Sequence, residues 1–182
     1  MDLRIKKTRA ALKKAFLTLR AKKPLEKITI KELTEMANIN KATYYLHYRD
    51  IYDLSETLER ELMQRCLSNV EHQEYIITDV EKFIEGLKES VLVNEKEIKI
   101  LFEGSRSTSF TKLFEEEINN IIVKNFPGYE PTLESRMKLT FLIHGAYYTY
   151  FKYSEYGMDK VINLIARLSD GSIVIHKGSN KS

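Results

Sequence analysis

The stretch of sequence that decides the fold is residues 28–54, which read ITIKELTEMANINKATYYLHYRDIYDL. Thr29 and Glu32 have the spacing of a capping box, in which each side chain bonds the backbone amide of the other residue at a helix N-terminus. Asn38 tolerates the left-handed conformation that ends many helices, and Asn40 is a preferred N-cap for a second helix. The segment therefore predicts two short helices joined by a tight turn.

Two short helices in this arrangement match the helix-turn-helix plan, in which the second helix enters the major groove of DNA and the first braces it. We expect the second helix to run from Lys41 to Tyr48. The first should turn an apolar stripe inward, made by Ile30, Leu33 and Met36 or Ala37. Because the groove admits one helix with its side chains, the first residues of the second helix should reach base edges. Those residues are Lys41, Ala42 and Thr43.

The charge of the chain is distributed unevenly. Residues 1–49 hold thirteen lysine or arginine residues and four acids, a net charge of +9. Because the whole chain carries only +3, the remainder carries −6. A basic N-terminal segment followed by an acidic remainder is the electrostatic pattern expected of a protein that presents one end to a polyanion. A solvated helix face is the alternative explanation of such a basic segment.

Residues 43–54 carry the most specific pattern in the chain. Thr43-Tyr44-Tyr45-Leu46-His47-Tyr48, followed by Asp50 and Asp53-Leu54, resembles the TetR/AcrR family of transcription regulators. The resemblance is clear over residues 5–65 and is one of layout beyond them. It implies an all-α protein with an N-terminal three-helix helix-turn-helix DNA-binding domain at residues 1–50. A helical-bundle dimerisation and ligand domain would follow at residues 51–182.

The resemblance also implies a role for individual residues of the motif. Thr29 and Lys31 would touch the DNA backbone or a neighbouring base, and Tyr45 and His47 would bind phosphates. Leu46 lies where some members place a DNA-contacting aromatic residue. The DNA-binding set is thus Thr29, Lys31, Asn40, Lys41, Ala42, Thr43, Tyr45, Leu46, His47 and Arg49.

The match to the family is incomplete after the motif. A phosphate-binding lysine that is common in the family aligns with Ile51, and Arg49 is the candidate to replace it. Tyr44 and Tyr48 look like core positions. Tyr45 could also belong to the core of a three-helix bundle, and His47 could be an ordinary surface histidine, so the two phosphate contacts each have a purely structural alternative.

The last two predicted helices, near residues 132–156 and 158–169, carry broad apolar stripes. Such stripes suit a four-helix bundle formed by two subunits, as the family layout implies. Monomer core is the alternative. The residues that we assign to dimerisation are Leu142, Ala146, Tyr150, Val161, Leu164, Ile165 and Leu168.

Aromatic and polar residues of the body also suggest a site for a small organic effector that would release the protein from DNA. The candidate ligand-binding residues are Phe102, Arg106, Met137, Phe141, His144 and Tyr148. An ordinary helical core explains the same residues equally well. A protein partner in place of the ligand stays open, as does the choice between repressor, which we favour, and activator.

Several other classes of protein are disfavoured. The four histidines are scattered, Cys66 is the single cysteine, and no phosphate-binding loop or nucleophile motif occurs, so we expect neither an enzyme nor a cofactor or metal. The chain starts without an apolar leader and holds no apolar run long enough to span a bilayer, so we expect a cytoplasmic protein without membrane contact. A helical adaptor that binds proteins is the remaining alternative.

Overall fold

The computed structural model describes residues 3–102 and 107–169. Within these ranges the chain forms α-helices and no β-strand, which confirms the predicted all-α class. The α-helices are α1 (Leu3–Arg20), α2 (Ile30–Ala37), α3 (Lys41–Tyr45), α4 (Ile51–Ser68), α5 (Tyr75–Thr78), α6 (Val80–Val93), α7 (Glu95–Phe102), α8 (Ser107–Asn125), α9 (Leu133–Lys152) and α10 (Met158–Ser169). Short 3-10 turns occupy Leu25–Lys27 and Ser154–Tyr156.

The chain divides into two compact units. One comprises Met1–Leu62 with Lys96–Glu103, and the other comprises Met63–Glu95 with Gly104–Ser182. We call the first the head and the second the body. The division by contacts falls inside α4, beyond residue 50, and the functional boundary at residue 50 stays a prediction. Among the described residues, no helix is both long and apolar enough to cross a bilayer.

The head is built on the buried face of α1. Leu12, Ala15, Phe16 and Leu19 are all buried, as their helical spacing predicts, and α1 packs against α2. The buried residues Leu54, Leu58 and Leu62 form an apolar stripe along α4. Transfer of such side chains out of water supplies the main stabilisation of the head.

Two details of the head differ from the prediction. Helix α3 ends at Tyr45 and not at Tyr48, because the amide of His47 bonds the carbonyl of Tyr44, three residues back, and so tightens the chain into a turn. Of the two alternatives for the inward face of α2, Met36 is 47% exposed and Ala37 is half-buried, whereas Thr34 is buried. Thr34 can be buried because its hydroxyl donates to the carbonyl of Ile30, 2.8 Å away.

In the body, α10 packs against α6 and α9, and α8 packs against α9. The predicted helix over residues 132–156 is interrupted after Lys152, where a 3-10 turn leads to Gly157. Gly157 has φ 93°, a left-handed conformation that favours glycine and separates α9 from α10. The four-residue helix α5 was not foreseen from the sequence.

Candidate nucleic-acid interface

Two side-chain caps and a left-handed asparagine shape the helix-turn-helix. The capping box at Thr29 and Glu32 is present as the sequence predicts. Asn38 ends α2 with φ 53° and ψ 49°, and the amide of Ile39 then returns to the carbonyl of Thr34 at 2.9 Å. The Asn40 Oδ1 accepts from the Ala42 amide at 2.8 Å and thereby starts α3. Local side-chain chemistry therefore sets where both helices begin.

The cap at the start of α2 limits what Thr29 offers to DNA. The Thr29 hydroxyl accepts from the Glu32 amide at 3.3 Å and donates to the Glu32 carboxylate at 3.1 Å. The ammonium of Lys23 lies 2.7 Å from both carboxylate oxygens. Lys23 and then Thr29 hold the pKa of Glu32 below its ordinary value. The hydroxyl of Thr29 is thus already engaged, and a DNA contact there would involve its methyl group.

Helix α3 presents its first residues to solvent. Lys41 and Ala42 are exposed and Thr43 is half-buried, while Tyr44 on the opposite side is fully buried. Helix α3 therefore has one face in the core and another face that is free to enter a DNA groove. The predicted base-reading residues Lys41, Ala42 and Thr43 lie together at one accessible end of α3.

The residues after α3 are more exposed still. Tyr45 is 56% exposed and Leu46 is 81% exposed, although both are apolar or aromatic. His47 is half-buried, with its ring 6.3 Å from that of Tyr48. Large apolar side chains left in water next to cationic ones are a frequent sign of an interaction surface. Tyr44 and Tyr48 are buried, as predicted.

A network of hydrogen bonds fixes both ends of this exposed segment. The Tyr44 hydroxyl donates to the main-chain carbonyl of Asp50 at 2.7 Å. The Asp50 carboxylate accepts the amides of Tyr52 and Asp53, both at 2.9 Å, and so caps α4. In return, the Asp53 carboxylate accepts the Arg49 amide at 2.8 Å. This backbone bond, with the Arg49 guanidinium, lowers the pKa of Asp53.

Cationic side chains surround the exposed segment. The Arg49 guanidinium is largely exposed and lies 3.5 Å from Asp53, and the ammonium of Lys31 lies 4.0 Å from Glu35. Such exposed pairs are weak and easily exchanged for a phosphate partner. Ile51, at the position where a phosphate-binding lysine was missing, is buried. The ten predicted DNA-binding residues are thus exposed or half-buried, and their roles stay predictions.

The predicted ligand-binding residues are divided between the two units. Phe102 is buried in the head, whereas Phe141 of the body is 82% exposed. Arg106 lies outside the described residues. Met137, His144 and Tyr148 are also exposed, because they share with Phe141 the side of α9 that does not pack within the body. An effector site at these residues stays a prediction.

A separate cleft in the body is too small for an organic effector. It has a volume of about 30 Å³, against roughly 300–1,000 Å³ for pockets that hold drug-sized molecules. Its lining includes Ile76, Ile122, Tyr129, Pro131 and Leu139.

The predicted dimerisation residues fall into two groups. Tyr150, Val161 and Ile165 are buried inside the body, because they lie on the faces by which α9 and α10 pack within the body. Leu142 and Ala146 are half-buried. Leu164 is exposed, and Leu168 is 79% exposed. The first three residues therefore belong to the core of a single chain, and the surface open to a partner includes the last two.

Comparison with known proteins supports the helix-turn-helix interpretation at a coarse level. No protein-family model matches the chain. Over 73 residues it is 37% identical to a Bacillus subtilis (strain 168) protein named "Uncharacterized HTH-type transcriptional regulator YxbF". The match covers 40% of this chain and only 18% of that protein. The similarity supports a transcription regulator and does not identify the TetR/AcrR family.

Proposed function

We propose that this protein is a DNA-binding transcription regulator that recognises a palindromic operator as a homodimer and represses transcription. The observation that carries the proposal is the exposed end of α3, with Lys41, Ala42 and Thr43 accessible on a helix whose other face is buried. The similarity to a regulator of the helix-turn-helix type agrees with it.

The division of labour in the interface follows from chemistry. Lys41 and Thr43 carry donors that can reach base edges, and Leu46 offers an apolar surface to a thymine methyl group. Tyr45, His47 and Arg49 would bond phosphates, which position the head without reading sequence. The Asn40 side chain uses its oxygen for the cap of α3, so its NH2 group is the part that could donate to DNA.

The homodimer would form through the outer side of α9 and α10. The exposed residues Met137, Phe141 and Tyr148 form an apolar stripe on α9, and Leu164 and Leu168 are exposed apolar residues of α10. A side chain added at Gly145 would meet nothing within 4 Å, so another helix could approach closely there. We therefore propose that Met137, Phe141 and Tyr148 contribute to the dimer.

Binding to DNA selected from a random-sequence duplex library, followed by footprinting, tests the proposal. We expect a two-fold symmetric footprint whose half-sites lie about one helical turn apart or a multiple of it. The affinity should fall steeply with salt, because each neutralised phosphate contributes a slope of about −0.9 in a log–log plot. Failure of the purified protein to bind any duplex at low salt would refute the proposal. A salt-independent complex with a protein would favour an adaptor.

A further inference from the structure

The hydroxyl of Tyr44 bridges two elements of the head. It is carried by α3, is fully buried, and donates to the carbonyl of Asp50 at 2.7 Å. The same carbonyl accepts the amide of Leu54, in the first turn of α4, at 3.3 Å. The bond therefore connects α3 to Asp50, the residue that caps α4.

The segment between these two residues carries four of the predicted DNA contacts. They are Tyr45, Leu46, His47 and Arg49. Beyond the Tyr44 bond, the Arg49 amide is held by Asp53 at 2.8 Å. Hydrogen bonds thus hold both ends of the segment in the absence of DNA.

Packing alone does not require a hydroxyl at this position. A phenylalanine ring would fill nearly the same volume, and burial of a hydroxyl costs free energy unless it is bonded. Desolvation also raises the pKa of Tyr44, so the hydroxyl stays protonated and able to donate. What the hydroxyl adds to the ring is a directed bond to one carbonyl oxygen, which joins the two residues that flank 45–49.

We propose that Tyr44 is a positioning residue, whose hydroxyl holds residues 45–49 in the conformation that the DNA backbone requires. This inference rests on the proposed function. A segment fixed in advance loses less conformational entropy on binding, so the bond strengthens the complex although Tyr44 is buried and has no access to DNA. The sequence marks Tyr44 only as a core residue, since nothing in the residue order indicates a bond to the carbonyl of Asp50.

The test compares Tyr44→Phe with the wild type on a duplex selected by the wild-type protein. We expect the dissociation constant to rise roughly threefold to tenfold, the range of one hydrogen bond. The slope of affinity against salt should not change, because no charge is lost. Amide hydrogen exchange at residues 45–49 should become faster. Tyr129→Phe removes a hydroxyl from a half-buried tyrosine of the body and should change none of these quantities.

The binding and hydrogen-exchange measurements are made well below the melting temperature, and the affinities are corrected for the fraction of active protein. A p-aminophenylalanine at position 44 restores a donor and should recover most of the lost affinity. Equal affinity of Tyr44→Phe and the wild type for the duplex would overturn the inference. A variant with a lower melting temperature and no other change would overturn it too. If the wild type binds no duplex, the proposed function fails instead, and the exchange rates still show whether the hydroxyl orders the segment.

Discussion

At the scale of single residues, neighbouring tyrosines of the motif do different work. Tyr44 is fully buried and bonds the chain internally, whereas Tyr45 stands 5.5 Å away, ring centre to ring centre, and is largely exposed. Helical geometry turns adjacent residues by about 100°, so one can face the core while the next faces solvent. Residue type alone therefore does not predict which tyrosine would meet DNA.

The exposed tyrosine and the residues at the start of α3 should respond differently to mutation. We expect Tyr45→Phe to weaken binding to all duplexes alike, about tenfold to 100-fold, since it removes one hydrogen bond from a hydroxyl to an anionic phosphate. Thr43→Ala should instead cost about 1–3 kcal/mol on the preferred operator and relax the choice of base at one position, as should Lys41→Ala. Anisotropy titrations over single-base operator variants separate the two patterns. The opposite pattern would mean that Tyr45 reads bases.

At the scale of helices, the caps were more predictable than the lengths. The capping box at Thr29, the left-handed Asn38 and the cap at Asn40 are confirmed, because each depends on residues close together in the sequence. The end of α3 was misjudged, because two amides share the carbonyl of Tyr44 and residues 46–47 form a turn. The bond from Tyr44 to Asp50 depends on the folded path of the chain, which a local pattern does not contain.

The cap of α2 should make the stability of the head depend on pH. Hydrogen bonds from Lys23 and Thr29 lower the pKa of Glu32, so its stabilising contribution is complete above the unfolded pKa of about 4.3. The contribution is lost as the pH falls through the folded pKa. We expect Glu32→Gln to melt about 2–4 °C below the wild type at pH 7. The difference should narrow as the pH falls below the unfolded pKa.

Calorimetry at several pH values checks this expectation. Glu35→Gln in the same helix is the matched control, because Glu35 is exposed and lies 4.0 Å from its nearest cation. The melting temperature of Glu35→Gln should stay close to that of the wild type at every pH. If the gap for Glu32→Gln were constant between pH 7 and pH 3, the ionised carboxylate would not be the stabilising species.

At the scale of the whole molecule, the sequence shows which residues of α9 and α10 are apolar. It does not show which of them are buried within the chain and which stay exposed. Tyr150, Val161 and Ile165 look no different from Phe141 and Leu168 in a helical pattern, yet the first three are buried within the body. The periodicity of a helix shows that residues share a face and cannot show which neighbour covers that face. Only the packing of α10 against α6 and α9 decides it.

The outer side of α9 therefore provides the sharpest test of the dimer. Burial of one phenylalanine is worth about 1.5–3 kcal/mol, and a two-fold interface contains two copies of Phe141. We expect Phe141→Glu to raise the dissociation constant of the dimer by about 100-fold or more. The sedimenting species should then approach the 21.3 kDa of a single chain. Binding to a palindromic duplex should weaken in parallel, while binding to a single half-site should be unchanged.

The control for this variant is Val123→Glu, which places the same charge on an exposed residue of α8 in the same unit. It should leave both the mass and the affinity for the palindrome as they are in the wild type. A Phe141→Glu protein that still sediments as a dimer would place the interface elsewhere. If that variant were monomeric and bound the palindrome as tightly as the wild type, one head would be sufficient, and the inferred two-fold symmetry of recognition would be wrong.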